Sequence, residues 1–170
     1  MHEHQQEKTL YEQVQDCVED RITLYLFQLR VLTKWLFRNE VDGFHVDKLR
    51  QNMEQVGFLD EELTVMRIPD EDALPLRTAR PLASQSWTME TCTQEDTFPY
   101  ITCPDTDKAG KLYPLYGVFD GNHRALAGIM SVLKYNSIIV HANTTVRVRV
   151  MKFGTDMKVL EVFSMVSTHT

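Results

Sequence analysis

The amino-acid sequence predicts an α/β (α+β) domain: a small mixed sheet flanked by helices, with one long loop insertion. Three observations carry that expectation. Residues 146–150, Val-Arg-Val-Arg-Val, alternate strictly between apolar and charged, the period of a half-buried strand. Residues 112–119 are apolar and aromatic and break at Asp120-Gly121 straight into a helical pattern over 125–135. Helical and strand-like stretches also interleave along the chain without an internal repeat, the order expected when helices cover a sheet.

Taken in order, residues 9–20 place Leu10, Val14 and Val18 four apart, a helical stripe with acids opposite. Residues 1–20 therefore read as a helical extension and 21–170 as the domain proper. Over 21–38 two patterns compete: Ile22, Leu24 and Leu26 alternate, while Val18, Ile22, Leu29, Leu32 and Leu36 extend a helix; β-branched and aromatic residues favour a strand within 22–32. Val46, Leu49 and Met53 share a face of a helix over 46–55, closed by Gly57. Residues 63–68 form a short apolar run closed by Pro69, a strand. Residues 69–110 carry five prolines (Pro69, Pro75, Pro81, Pro99, Pro104) with many Ser, Thr and acids and no clear period, and read as an insertion, either a solvated loop or a lid. After the strand at 112–119 and the helix at 125–135, residues 137–140 are a short strand or helix end, 146–150 a strand, and 157–166 a last helix striped by Leu160, Phe163 and Val166.

Composition narrows the function classes. With 170 residues, 43% hydrophobic, the chain is long enough for one real core. A net charge of −6 offers no broad basic surface for sequence-independent nucleic-acid binding. The most apolar stretch, 22–37, is broken by Gln28, Arg30 and Lys34, too short and too charged to span a bilayer. The N-terminus lacks the order of a secretory signal, so an intracellular (cytoplasmic) protein is the default expectation. Cys17, Cys92 and Cys103 are an odd, widely spaced set, better read as free thiols than as a disulfide framework or zinc ribbon.

The chemistry concentrates at Asp120-Gly121-Asn122-His123-Arg124. The first turn of a helix leaves backbone N–H groups without partners, and their partial positive charge suits a phosphate. Gly121 lets an anion approach the backbone and permits an unusual φ. Arg124 falls in the same first turn and can offer a two-pronged contact to phosphate oxygens. His123 adds a donor, and Asp120 is placed to hold a magnesium ion or accept a proton. The plainer alternative is turn chemistry, with Asp120 capping the helix and Arg124 pairing with a surface acid. Among other residues, His2 and His4 lie in a terminus expected to fray and His141 reads as a surface or packing residue. Trp35 and Trp87 read as core or insert anchors. Arg147 and Arg149 read as a solvated strand face that could also extend a basic rim.

The run Val118-Phe119-Asp120-Gly121-Asn122-His123-Arg124-Ala125-Leu126-Ala127 resembles the core motif of the ParB/sulfiredoxin superfamily, a hydrophobic strand, then (D/G)-G-x-x-R, then a helix opening with small and apolar residues. The flanks agree in outline: 46–57 resembles the earlier helix that ends in glycine, 63–68 the strand after it, and 146–150 the strand after the motif helix. The resemblance spans roughly 28–166, with 69–110 inserted. Sulfiredoxins need a cysteine directly after the motif glycine, and Asn122 stands there, which argues against sulfinic-acid reduction. Chromosome-partitioning members carry a helix-turn-helix after this domain and a Glu-Asn pair. The chain ends at Thr170 without either, which argues against CTP hydrolysis and DNA clamping.

Free-serine kinases of this fold carry an Asp-Gly-x-His-Arg motif, which residues 120–124 match at each fixed position. That resemblance implies nucleotide phosphates on Gly121, Asn122, His123 and Arg124, magnesium at Asp120, catalytic roles for Asp120 and His123, and a glutamate base from an earlier segment. Glu40 is the candidate by order along the chain. The expectation is therefore a domain binding ADP, ATP or CTP, or another phosphorylated small molecule, and acting as a phosphotransferase or NTPase with Mg2+. The alternatives are a protein-interaction module that keeps the fold and docks a partner through 69–110 or the N-terminal helix, and a metal-dependent nuclease, which the acidic composition disfavours.

Overall fold

The computed structural model describes residues 9–36, 41–58, 61–78, 97–156, 158 and 160–161. Along them run α1 (Leu10–Asp16), β1 (Val18–Tyr25), β2 (Leu29–Arg30), α2 (Gly43–Val56), β3 (Leu63–Arg67), α3 (Asp70–Thr78), β4 (Tyr116–Asp120), α4 (Asn122–Leu133) and β5 (Thr145–Met151). The strands make one mixed sheet in the order β1-β5-β3-β4-β2, an α+β architecture. β5 runs antiparallel to β1 and parallel to β3; β4 runs antiparallel to β3 and parallel to β2.

The pleat divides the core. On one face Val146, Val148 and Val150 of β5 join Leu63 and Val65 of β3 and Val118 of β4 beneath α2 and α4. α4 is buried from Ala125 through Ser131 because it lies across the sheet and also packs on α2. The opposite face carries a smaller cluster of Met66, Phe119, Met151 and Leu160, with Trp35 laid against it. Trp35 stacks on Phe119 with ring centroids 4.6 Å apart, which fits its reading as a core anchor. Gly117 is the reason it can: a Cβ there would run into the Trp35 ring. Trp87 lies outside the described residues.

Several expected boundaries move. The helix over 9–20 stops at Asp16, and Val18 to Tyr25 instead pair with β5, Ile22 opposite Val148 and Leu24 opposite Val146. Helical spacing and strand alternation both fitted Val18 and Ile22. A strongly alternating partner strand settles the choice, since pairing and burial outweigh local propensity. The strand sought within 22–32 thus becomes the end of β1 and the two-residue β2. α2 begins three residues before Val46, and the strand over 112–119 shortens to β4, leaving Leu112 exposed. Residues 137–140 are neither strand nor helix end; the Ser137 hydroxyl accepts the N–H groups of Ile139 and Val140 in a tight turn. Of the last helix, Lys158, Leu160 and Glu161 are helical, and the remainder lies outside the described residues.

The described parts of 69–110 are ordered. Asp70–Thr78 is helical, and Phe98, Tyr100, Ile101 and Cys103 are buried, with the Phe98 N–H donating to Val31 O at 2.9 Å. Cys103 is a free thiol, as is Cys17, and Cys92 lies outside the described residues. Among the described residues no helix is long and apolar enough to cross a membrane.

Two outcomes test this packing. Gly117→Ala forces Trp35 off Phe119 and should lower stability by ~1–3 kcal/mol, read from the urea midpoint; an unchanged midpoint would contradict the packing described. Burial pushes the Cys103 thiol up, outweighing the downward pull of Arg30 and Arg77. The folded thiol thus holds its proton more tightly than the unfolded one. Its contribution is complete below the ordinary thiol range and is lost as pH rises through the raised value. Cys103→Ala should flatten part of the alkaline decline in stability; an identical pH profile would refute the assignment.

Candidate functional site

The site is built by one residue that must be glycine. β4 runs buried to Asp120, and the chain then turns at Gly121, φ 89° and ψ 27°, into α4. That left-handed conformation strains any residue with a Cβ. Space forbids one as well, since a Cβ on Gly121 would run into the Leu63 side chain and sit 3.0 Å from Arg124 Nη2. The arginine of the first turn is therefore folded back over the glycine. Its Nη1 donates to the Glu61 carbonyl at 3.0 Å and stands 3.3 Å from Glu61 Oε2. The Arg124 side chain is 14% exposed, whereas that of Glu61 is 77% exposed. A carboxylate so well hydrated contributes little to the pair, on the order of 1 kcal/mol or less.

A second helix begins at the same place. Asp42 caps α2, its Oδ1 accepting the N–H groups of Phe44 at 3.0 Å and His45 at 3.3 Å. The Asp42 backbone N–H itself donates to His123 Nε2 at 3.1 Å. The rings of His45 and His123 lie 5.0 Å apart, inclined at 60°. The first turns of α2 and α4 therefore meet, and the positive ends of two helices adjoin. A hydrogen bond accepted at Nε2 makes that nitrogen of His123 unprotonated, so the ring offers its proton from the Nδ1 side.

Asn122 opens α4. Its Nδ2 lies 3.5 Å from the Phe119 carbonyl, and its Oδ1 is buried without a hydrogen-bond partner. Asp120 is 6% exposed. In register, Thr64 stands opposite both Asp120 on β4 and Arg149 on β5, and Arg149 Nε donates to Thr64 Oγ1 at 3.0 Å. Arg149 is thus drawn into the row that ends at the motif, while Arg147 points to solvent and approaches Glu62 Oε1 at 3.7 Å. His141 is exposed, with its N–H held by Thr144 Oγ1, a surface role.

The structure therefore brings Gly121, Asn122, His123 and Arg124 together around one turn, with Asp120 beneath. Glu40, His2 and His4 lie outside the described residues. Asp42, His45, Glu61 and Leu63 went unread. An aspartate directly before a helical stripe is a legible cap, and Asp42 was available on that ground. Nothing local marks Glu61 or Leu63, because they reach the turn only through the pairing of β3 with β4. Among the described residues no group of three His, Cys, Asp or Glu stands ready to hold a metal ion.

Comparison with protein-family models, with curated proteins and with solved structures finds no match.

The cap that fixes the second helix gives a direct test. Asp42→Ala removes the acceptor for two N–H groups at the start of α2 and should cost ~0.5–2 kcal/mol in stability. Amide exchange should quicken at Phe44 and His45 and leave β5 unchanged; unaltered exchange at those two amides would argue against the cap.

Proposed function

We propose that the domain binds a phosphate group, most simply that of a nucleotide, where the first turns of α2 and α4 meet. The observation that carries the reading is the start of α4: its N–H groups follow Gly121 directly and Arg124 lies beside them, while the Asp42 carboxylate already satisfies the Phe44 and His45 amides of the adjoining α2. Leu63 and Arg124 occupy the side of Gly121 where a side chain would stand, which puts the guanidinium at the start of α4. Glu61 is the acid on Arg124. An incoming phosphate would trade places with that exposed carboxylate at little cost. The resemblance to the ParB/sulfiredoxin superfamily supports the same reading through the Asp-Gly-x-His-Arg pattern, as does the mixed sheet with a helix after the motif strand.

Within this reading His123 and Arg124 bind, the N–H groups after Gly121 cradle, and the acceptor at Asn122 Oδ1 suits a hydroxyl or amino group of the ligand rather than its phosphate. Phosphoryl transfer to a small hydroxyl acceptor would rest on positioning and charge neutralisation, with magnesium arriving on the nucleotide phosphates. Asp120 is the acid beneath the turn in that scheme.

A second reading is favoured by one observation. Leu63 fills the Gly121 side of the turn and Glu61 satisfies Arg124, so the turn is also complete without a ligand. A protein-interaction module that keeps the fold accounts for that.

Isothermal titration with ADP, ATP and CTP, each with magnesium, separates the two. The phosphate reading expects heat with at least one nucleotide and a loss of affinity of ~1.5–3 kcal/mol in Arg124→Ala, the worth of one charge-assisted contact. Absence of heat with all three, in protein whose unfolding is cooperative, leaves the module.

A further inference from the structure

At the other end of β4 lies a second group of cations that the motif does not use. Arg30, on β2, is fully buried at 0% exposure. Its Nη1 donates to Phe27 O and Leu29 O, both at 2.8 Å, which holds the guanidinium in place. Its Cζ sits 4.0 Å over the Tyr100 ring. Stacking occupies a face of the guanidinium and leaves the in-plane N–H groups to be satisfied by acceptors. Nε and Nη2 have none, and the Nη1 of Arg77, on the last turn of α3, is likewise buried without an acceptor. Among the described residues neither arginine is in an ion pair with a carboxylate.

Burial lowers the Arg30 pKa to about 10, and Arg77 adds to the lowering. Arg30 is thus still a cation at neutral pH. A buried cation is ordinarily paired, because its lost hydration must be replaced. Among the described residues, three guanidinium nitrogens from two chain segments have no acceptor.

We propose that Arg30 and Arg77 form an internal site for a compact oxyanion, of the size of inorganic phosphate or sulfate. A tetrahedral oxyanion presents acceptors in several directions, which suits donors arriving from β2 and α3. The complete burial of Arg30 selects against a larger ligand, and Arg77, half-buried at the surface, marks the way in. The site is separate from the turn at Gly121. Arg30 pairs in register with Gly117, four residues before Gly121, on the order of 13 Å away at ~3.3 Å per residue.

Thermal unfolding of protein refolded into chloride, with sodium phosphate, sodium sulfate or a phosphomonoester added at matched ionic strength, tests the proposal. The expected result is a saturating rise in Tm with phosphate and sulfate, as a discrete site requires, and a smaller rise or none with the phosphomonoester. Arg124→Ala should keep that response and Arg77→Gln should lose it. Arg30→Met should lose it as well, and if that variant does not fold, Arg77→Gln decides alone. A rise that equals the chloride control, that never saturates, or that persists in Arg77→Gln overturns the proposal. In the Arg124→Ala background, where the turn at Gly121 is disabled, a stronger response to the phosphomonoester overturns the restriction to compact anions.

Discussion

Everything at the motif depends on the left-handed turn at Gly121. It is the means by which a buried strand, β4, becomes a helix, α4, without intervening loop, so that the helix starts against the sheet rather than beyond it. Because the turn is tight, the start of α4 is held beside β3, and Leu63 and Arg124 close over a residue that has no side chain to oppose them. Because α4 is apolar from Ala125 to Met130, it must lie on the sheet, and α2 must then lie beside it. The adjacency of the two helix starts follows from those two facts, not from any special residue at their meeting point.

The sequence showed the two strands and the helix that dictate this arrangement, since 146–150 alternates cleanly, 63–68 is a closed apolar run and 125–135 carries an apolar face too regular for another reading. It ran the first helix past Asp16, because Val18 and Ile22 satisfy a helix and a strand equally and β5 decides. It also read 69–110 as an insertion, a solvated loop or a lid, because prolines and acids hide the buried residues among them. Phe98, Tyr100, Ile101 and Cys103 follow no period, since they pack from an irregular segment whose backbone is held by Val31 and not by a ladder. At the site, residues 120–124 were legible because they are contiguous. Glu61 and Leu63 were not, because they reach the turn through sheet register alone, which no local pattern encodes.

Three arginines in this fold show how environment sets a cation's role. Arg124 is mostly covered yet shares a hydrated carboxylate and a carbonyl, so its partner is exchangeable. Arg149 is tied to a hydroxyl within the sheet and lends a charge to the row leading to Asp120. Arg30 is fully buried, fixed by carbonyls and an aromatic ring, with donors left over. The first can change partners as part of binding. The last keeps its carbonyl and ring contacts, and its remaining donors are the ones assigned to the internal oxyanion site.

The central proposal is that the start of α4, with Arg124 folded over Gly121, receives an anion. Backbone amide shifts followed during titration with a nucleoside diphosphate address it most directly. The account predicts that the amides of Asn122, His123 and Arg124 move along one saturation curve while that of Arg147 stays still. Shifts absent from those three amides, or scattered away from the start of α4, would contradict it.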